Sequence, residues 1–303
     1  MGYSFEVVTR GARQRAEIRP VEPDLVRTSE GMSRMMRSHV DFLQCTATSL
    51  TTLRQAAPLV QCLTNSVTTN LVANALLAVG ASPAMVDVPG EAGPFAQVAG
   101  ALYINLGTPA EEQREAMLEA ATSAHARGTP WVLDPVAVGV LPVRTALAAE
   151  LLELRPTVIR GNASEIRALA GHSAAAKGVD AVDEVESART AALELAHRWG
   201  TVVAVSGEVD LVTNGDSLVR VANGTQLFTR VTGAGCALGG VVAAYTAVLS
   251  DAFAATVAAS LHYALAGELA ARRAGGPGSF SPAFLDQLFL LDDDAVLSLG
   301  RLP

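Results

Sequence analysis

The chain has 303 residues, of which 50% are hydrophobic and 17% charged, and its formal net charge is −8 at pH 7. A chain of this length and composition can bury one large core. The acidic balance, without a basic stripe, argues against nucleic-acid binding, because duplex binding relies on cationic side chains that displace counterions.

The cysteines indicate a reducing compartment. Cys45, Cys62 and Cys236 form no CxxC pair and stand near no histidine at metal-ligand spacing, which argues against a zinc site. A sparse, odd number of cysteines also argues against a disulfide framework. We therefore predict a cytoplasmic protein.

The first 44 residues differ from the rest of the chain. They are rich in Arg and Glu, show no sustained periodicity and lack the apolar core of a signal peptide. We predict a disordered or loosely attached extension over residues 1–44 and a single domain over residues 45–303. The break in composition also raises the hypothesis that translation starts at Met35 or Met36.

From residue 46 onward, short apolar runs alternate with helical patterns. In chain order the predicted elements are helix 48–55, strand 59–63, helix 66–79, strand 84–88, strand 101–105, helix 111–127, strand 131–133, helix 145–154, strand 157–160, a helix from residue 163, helix 187–199 and strand 201–205. This alternation predicts right-handed crossovers and an α/β fold with a mostly parallel sheet covered by helices on both faces.

Three shorter apolar runs follow, at residues 211–213, 218–221 and 227–231. They are separated by the Asn-Gly pairs 214–215 and 223–224, and Asn-Gly between apolar runs predicts β-hairpins. We therefore expect antiparallel strands to extend the sheet here.

The chain after Gly233 is predicted to be mostly helical. Its Ala- and Gly-rich run, residues 237–266, could resemble a membrane span, but Ser250, Asp251 and His262 interrupt it. Two buried helices are the better interpretation, and we predict no membrane association.

The strongest local motif is TGAGC, residues 232–236, which leads directly into an apolar helix. Gly233 and Gly235 allow a tight turn, and with Ala234 they present N–H groups at a helix N-terminus, which suits an anion such as a phosphoryl group. The alternative is a glycine-eased turn that serves packing alone.

Polar residues follow three of the predicted strands. Asp134, Arg160 and Ser206 each stand at a strand end, which in a parallel sheet is the edge where ligands bind. An arginine there can bind phosphate oxygens, and Asp134 with Glu165 could hold a hydrated Mg²⁺. The structural alternatives are a turn residue for Asp134, a capping box of Asn162 with Glu165, and a hydroxyl-stabilised turn for Ser206.

The motifs, taken together and in order, resemble the hydroxyethylthiazole kinases of the ribokinase-like superfamily. The segments that carry the resemblance are LTNSV (63–67), GASPAM (80–85), ALYINLGT (101–108), LDPVAVG (133–139), IRGNASEI (159–166), KGVD (177–180), SGEVD (206–210) and TGAGC (232–236). The resemblance covers roughly residues 50–275. A P-loop NTPase is excluded, because the chain contains no GxxxxGK[ST].

The resemblance implies phosphorylation of the hydroxyl of 4-methyl-5-(2-hydroxyethyl)thiazole by ATP, with Mg²⁺. Met85, Asn65 and Val67 would line the thiazole pocket, and Gly233 would lie at its alcohol end. Arg160 and Ser206 would bind the ATP phosphates, and Asp134 and Glu165 would organise Mg²⁺. Cys236 occupies the place where related sugar kinases carry an aspartate base.

The resemblance also implies a three-layer α/β sandwich without a lid domain. It implies a homotrimer in which a neighbouring subunit completes each active site. Two positions depart from the family pattern, Ala234 and Ser206, where the family usually has threonine. Both changes keep the local backbone chemistry, so we expect small effects.

Three other functions are compatible with parts of the sequence. The nearest is a hydroxymethylpyrimidine kinase of the same superfamily, and the segment from Asn65 to Met85 argues against it. A repair dehydratase for hydrated nicotinamide cofactors shares the fold but uses aspartate where this chain has Cys236. A non-catalytic nucleotide-binding regulator is disfavoured by the intact set of candidate site residues.

Overall fold

The computed structural model describes residues 38–172 and 181–303, without the side chains of 181–184. Most of the predicted N-terminal extension, including Met35 and Met36, lies outside these residues, and so does the KGVD motif at 177–180. The predicted extension therefore stays a prediction, although residues 39–44 belong to the first helix.

The described residues form one sheet of eight strands in the order β2-β1-β3-β4-β5-β6-β7-β8. The strands are β1 Leu59–Leu63, β2 Ser82–Ala84, β3 Ala101–Asn105, β4 Trp131–Asp134, β5 Val158–Asn162, β6 Val202–Ser206, β7 Asp210–Thr213 and β8 Leu218–Val221. Neighbouring strands from β2 to β6 are parallel, and β7 and β8 are antiparallel additions. The predicted mostly parallel α/β sheet is confirmed.

Helices cover both faces of the sheet. They are α1 His39–Ala56, α2 Thr69–Val79, α3 Ala92–Ala96, α4 Glu111–Arg127, α5 Pro142–Glu153, α6 Ala163–Leu169, α7 Ala181–Trp199, α8 Ala234–Thr246, α9 Ala252–Ala271, α10 Pro277–Leu290 and α11 Asp293–Leu299. Helices α3 to α7 enclose one apolar core, and α1, α2 and α8 to α11 enclose the other. This is the predicted three-layer arrangement.

Strand alternation decides which side chains face helix α8. On β3, Ala101 and Tyr103 belong to the core beneath α8, whereas Leu102 and Ile104 belong to the opposite core. Because side chains alternate along a strand, Asn105 also faces the α8 layer. The same parity, counted from buried core residues of β4, β5 and β6, places three further polar side chains there, namely Asp134, Arg160 and Ser206.

Helix α1 begins earlier than the pattern predicts. The prediction starts a helix at residue 48, but α1 begins at His39 behind a capping box in which Ser38 and Asp41 exchange hydrogen bonds. Phe42 is buried within the α8-side core. The apolar periodicity is weak over this turn, so the cap and the tertiary contact of Phe42 determine the start of the helix.

The segment after β8 is not the predicted hairpin. The Asn214-Gly215 turn does connect the antiparallel strands β7 and β8, as predicted. Residues 226–230, however, form a 3-10 helix instead of a strand. The Asn223 side chain donates to Glu268 and to the carbonyl of Leu299, so it holds the chain against α9 and the C-terminal segment instead of closing a turn.

The Ala- and Gly-rich run forms two buried helices, α8 and α9, as predicted. Among the described residues, no helix is both long and apolar enough to cross a membrane.

Candidate active site

The glycine turn forms the N-terminus of helix α8. Gly233 is the N-cap residue with φ of 85°, a left-handed conformation that favours glycine, and a Cβ there would stand 2.7 Å from Thr68 Cγ2. The N–H of Ala234 donates to the carbonyl of Val231 at 3.3 Å. Gly235 and Cys236 follow with N–H groups that the first turn leaves without a helical acceptor. These two amides, with the helix dipole, form an anion site.

Arg160 brings a buried positive charge to this turn. A Cβ on Gly235 would stand 3.2 Å from Arg160 Nη1, so the guanidinium lies directly beside the backbone of the turn. Its Nη2 donates to Ser206 Oγ at 2.6 Å, and its Nη1 lies 3.7 Å from Asp134 Oδ2. The Arg160 side chain is 10% exposed and that of Asp134 is 1% exposed. The guanidinium is therefore largely desolvated, which strengthens its interaction with an anion.

The two carboxylate oxygens of Asp134 have different surroundings. Oδ2 accepts from Asn105 Nδ2 at 2.8 Å and lies 3.0 Å from the Tyr103 hydroxyl, whose one hydrogen it shares as a possible acceptor with the Cys236 carbonyl. Oδ1 is buried and has no hydrogen-bond partner among the described residues. Burial raises the pKa of Asp134 to about 6, Arg160 opposes the rise, and the neighbouring Glu165 adds to it. Asp134 thus carries one saturated and one free oxygen.

Glu165 is already engaged by main-chain donors. Its Oε2 accepts from the N–H of Asn162 at 2.9 Å, and its Oε1 accepts from the N–H of Ala137 at 3.0 Å. The Asn162 side chain completes the predicted capping box of α6. A carboxylate oxygen can accept more than one bond, so Glu165 retains capacity for a ligand while it joins two loops.

These carboxylates fit a divalent cation. The free Oδ1 of Asp134 is a buried acceptor without a donor, and a hard cation prefers oxygen ligands. Among the described residues, no group of three or more His, Cys, Asp or Glu side chains could enclose a metal. The donor set therefore suits a cation that takes its remaining ligands from water and phosphate, as Mg²⁺ does in nucleotide sites.

Cys236 connects the glycine turn to the end of β1. Its Sγ lies 3.5 Å from Asn65 Nδ2, and that amide also donates to Asn105 Oδ1 at 2.8 Å. Burial raises the pKa of the Cys236 thiol, and the charge of Asp134 adds to the rise. The thiol is therefore protonated at neutral pH and can serve only as a weak base.

A cavity of about 940 Å³ opens on the Arg160 side of the turn. Arg160 and Ser206 line it, together with Ala234 and Gly235 of the turn and the loop 222–230. Its size suits a nucleotide, and Arg160, with Glu208 and Asp210 also in the lining, stands where the cavity meets the glycine turn.

The predicted substrate residues occupy a different region. Met85 follows β2 and is partly buried against the α8-side core, whereas Val67 follows β1 and is 66% exposed. Of the described residues, those that line the cavity do not include Met85, Val67 or Asn65. Asn65 nevertheless reaches the turn through Cys236. The site thus has a side that faces the cavity and a separate side toward β1 and β2.

Tyr103 and Asn105 belong to the site but were not among the predicted site residues. Both lie on β3, and both contact the Asp134 carboxylate. The signal was present in the sequence: two polar side chains, spaced by two, on the same face of an otherwise apolar buried strand. A buried strand normally carries such groups only where they have partners.

A mostly parallel sheet with a late helix N-terminus that faces a buried Arg–Asp pair defines a kinase of the ribokinase-like class. A family model described as the hydroxyethylthiazole kinase family matches residues 50–294. The chain is 57% identical over 250 residues to a hydroxyethylthiazole kinase of Clavibacter sepedonicus, covering 82% of this chain and 91% of the relative. The chain belongs to the hydroxyethylthiazole kinase family, which confirms the predicted family and its kinase activity.

Solved structures agree with this assignment. A hydroxyethylthiazole kinase protein from Pyrococcus horikoshii superposes with a TM-score of 0.79 at 35% identity, covering 85% of this chain and 98% of that chain. A pyridoxal kinase from Staphylococcus aureus superposes with a TM-score of 0.53 at 13% identity, covering 70% of this chain and 88% of that chain. The latter likeness shows the shared fold alone.

Proposed function

We propose that this chain transfers the γ-phosphoryl group of ATP to the hydroxyl of 4-methyl-5-(2-hydroxyethyl)thiazole, a step of thiamin biosynthesis or salvage. The observation that carries the proposal is the convergence of Arg160, the free amides of Gly235 and Cys236, and the Cys236 thiol at one helix N-terminus. These groups stand between a nucleotide-sized cavity and Asn65 at the end of β1. The family relationship supports the same reaction.

The phosphoryl group would be held by charge and main-chain donors. Phosphoryl transfer depends mainly on positioning and on neutralisation of charge in a loose transition state. The Gly235 and Cys236 amides would donate to the phosphoryl oxygens, while Arg160 neutralises the phosphates from the cavity side. Ser206 accepts from Arg160 and would share the phosphates with it.

The minor thiolate form of Cys236 would accept the proton of the substrate alcohol and become the thiol. Its thiol is mostly protonated at neutral pH because burial raises its pKa. A loose transition state makes little demand for proton removal early in the transfer, so a weak base is adequate. Asn65, which donates toward Sγ, would favour the thiolate form at the moment of transfer.

Asp134 and Glu165 would hold Mg²⁺ through their carboxylate oxygens. When bound, the cation would neutralise phosphate charge and fix the triphosphate. Asn105 donates to Oδ2 of Asp134, which leaves Oδ1 as the oxygen without a donor and directed to another ligand. The main-chain bonds from Ala137 and Asn162 orient Glu165 in the same way.

We further propose that the thiazole side is completed by a neighbouring subunit in a homotrimer. Apolar side chains are exposed in the segments that follow the carboxyl ends of β1, β2 and β4. Val67, Val88, Val140 and Leu141 precede the next helices, and Val143 lies in the first turn of α5. Exposed apolar groups gathered at one edge favour association. Burial there would bring Val67 and Met85 into a closed pocket.

The cytoplasmic location also stays a prediction.

The test is a coupled ADP-release assay with product mass detection. The purified chain should phosphorylate hydroxyethylthiazole with a kcat/KM at least tenfold higher than for hydroxymethylpyrimidine. Asp134→Asn serves as the matched inactive control, because it keeps the shape of the side chain. A preference for the pyrimidine, or phosphorylation that survives in the Asp134→Asn variant, would refute the proposal.

A further inference from the structure

Two tyrosine hydroxyls contact the first turn of α8 through its carbonyl oxygens. Tyr103, on β3, donates to the Cys236 carbonyl at 2.6 Å. Tyr263, on α9, donates to the Ala234 carbonyl. Both tyrosines are buried, with 0% and 3% exposure. The turn that carries the free amides is thus held by donors from two different elements.

Tight packing fixes the position of each phenol ring. A Cβ on Gly239 would stand 2.4 Å from Tyr103 Cε2, so the ring lies directly against the backbone of α8. The Tyr263 ring stacks on Phe228 with centroids 5.2 Å apart and meets Phe284 edge-on at 4.7 Å. Close-packed rings of this kind have little freedom to follow a displaced partner. The hydroxyls therefore act as fixed points for the turn.

The Tyr103 hydroxyl has one hydrogen to donate, and its neighbours indicate which acceptor receives it. It accepts from Asn105 Nδ2 at 2.9 Å, and two acceptors compete for its hydrogen. The Cys236 carbonyl at 2.6 Å is closer than Asp134 Oδ2 at 3.0 Å. Asp134 Oδ2 also receives a hydrogen from Asn105, so we assign the Tyr103 hydrogen to the nearer Cys236 carbonyl.

We propose that Tyr103 and Tyr263 are positioning residues that hold the first turn of α8 in the geometry required by the migrating phosphoryl group. The proposal rests on the proposed function. Each hydroxyl donates to a main-chain carbonyl, of Cys236 or Ala234, and through it acts on the amides of the same turn; Tyr263 also lines the cavity. Amides aimed in advance at developing charge stabilise a transition state without reorganisation. Loss of a hydroxyl would therefore lower kcat more than it raises KM.

The experiment compares three Tyr→Phe variants that keep the ring and remove one oxygen. Tyr103→Phe and Tyr263→Phe remove the two contacts to the turn. Tyr245→Phe is the matched control, because Tyr245 is a buried tyrosine within α8 whose hydroxyl contacts His262 instead. We expect Tyr103→Phe and Tyr263→Phe to lower kcat about tenfold, less than the ~10²-fold or greater cost of losing a direct oxyanion donor. KM for thiazole should stay within about twofold, and Tyr245→Phe should keep kcat.

A second measurement is independent of the thiazole. MgADP binding is measured by calorimetry with and without aluminium fluoride, which mimics the migrating phosphoryl group. Aluminium fluoride should tighten ADP binding in the unmodified chain and in Tyr245→Phe, and about tenfold of that gain should be lost in the other two variants. An equal gain in all four proteins, or none in the unmodified chain, would overturn the positioning role. A chain that shows the gain but does not phosphorylate thiazole would overturn the proposed function alone.

The melting temperature distinguishes a variant that is less stably folded from one in which only the first turn of α8 has moved. A general packing defect would lower Tm and kcat together in all three variants, including Tyr245→Phe, and would count against the proposal. A fall in kcat confined to Tyr103→Phe and Tyr263→Phe, with the Tm of each close to that of Tyr245→Phe, supports it.

Discussion

Asn65 Nδ2 lies 3.5 Å from Cys236 Sγ, and this contact joins the end of β1 to the first turn of α8 across 171 positions of sequence. Of the three cysteines, Cys45 and Cys62 are buried and Cys236 is partly exposed. The contact therefore gives the one partly exposed thiol a hydrogen-bond donor. It also gives the proposed base a direct link to the proposed thiazole side of the site.

Replacement of Cys236 tests its role as a weak base. Cys236→Asp should keep or raise kcat, because a carboxylate is ionised at neutral pH, whereas the thiol is mostly protonated, and because it can accept from Asn65. Cys236→Ala should lower kcat by up to ~10²-fold, the usual contribution of a general base. Steady-state kinetics checks both. Inactivity of both variants, with Tm unchanged, would contradict the weak-base account.

Variants of the Arg160–Asp134 pair should show that stability can be recovered without recovery of activity. Arg160→Met leaves the Asp134 carboxylate buried without its cation, so the free energy of unfolding should fall by about 3–5 kcal/mol. The double variant Arg160→Met with Asp134→Asn should recover most of that stability, because the Asp134 carboxylate that lost its cation is no longer charged. Activity should be lost in both. Urea denaturation gives the stability, and a double variant no more stable than Arg160→Met would refute the pairing.

Gly233 should tolerate a side chain less well than another glycine of the same conformation. Gly233→Ala adds a left-handed alanine and a Cβ 2.7 Å from Thr68 Cγ2. Gly128→Ala, at the C-cap of α4, also places an alanine in the left-handed region, but its Cβ meets no atom within 4 Å. We expect a loss of about 1 kcal/mol for Gly128→Ala and roughly 2–3 kcal/mol for Gly233→Ala. Equal losses by chemical denaturation would show that Thr68 does not restrict the turn.

The buried His262 should make stability depend on pH. Burial lowers the pKa of His262 from 6.5 to about 4, and its ring contacts the Tyr245 hydroxyl and the Leu288 carbonyl. Between these values the unfolded chain binds a proton that the folded chain does not. Stability is therefore complete above pH 6.5 and is lost as the pH falls toward 4, by on the order of 3 kcal/mol.

The comparison with His262→Gln isolates this contribution. The variant lacks the titrating group, so the difference in unfolding free energy between the two proteins should change between pH 7 and pH 4. Denaturation curves at several pH values measure it. A difference that stays constant over this range would show that His262 does not titrate as expected.

The exposed apolar edge should be needed for assembly. Val67→Asp places a charge in the loop after β1 and should shift the chain from trimer toward monomer, with loss of thiazole phosphorylation. Val98→Asp is the control, because Val98 is 63% exposed but precedes β3 and so lies toward the opposite edge of the sheet. Light scattering after size exclusion gives the mass. Equal effects of the two variants would contradict the assigned interface.

Local patterns carry much of this fold. The strands β1 and β3 and helix α4 have the predicted bounds, because each is a complete apolar or amphipathic run between turn residues. The parallel arrangement then brings Asp134, Arg160 and Ser206 to one edge, since parallel strands end together. The strand predicted at residues 227–231 was wrong. An apolar run after an Asn-Gly pair resembles a strand, but contacts to α9 and to the C-terminal residues determine the conformation of this segment.

The sequence by itself determined the family and the α/β class and predicted candidate site residues, because these depend on periodicity and on ordered motifs. Only the tertiary structure decided that Asn65 meets Cys236, that Asp134 keeps one oxygen free, and that Tyr103 and Tyr263 hold the turn of α8. The physical reason is that these contacts join residues far apart in the chain. They depend on the order of strands in the sheet and on the packing of α8 and α9, which no local pattern encodes.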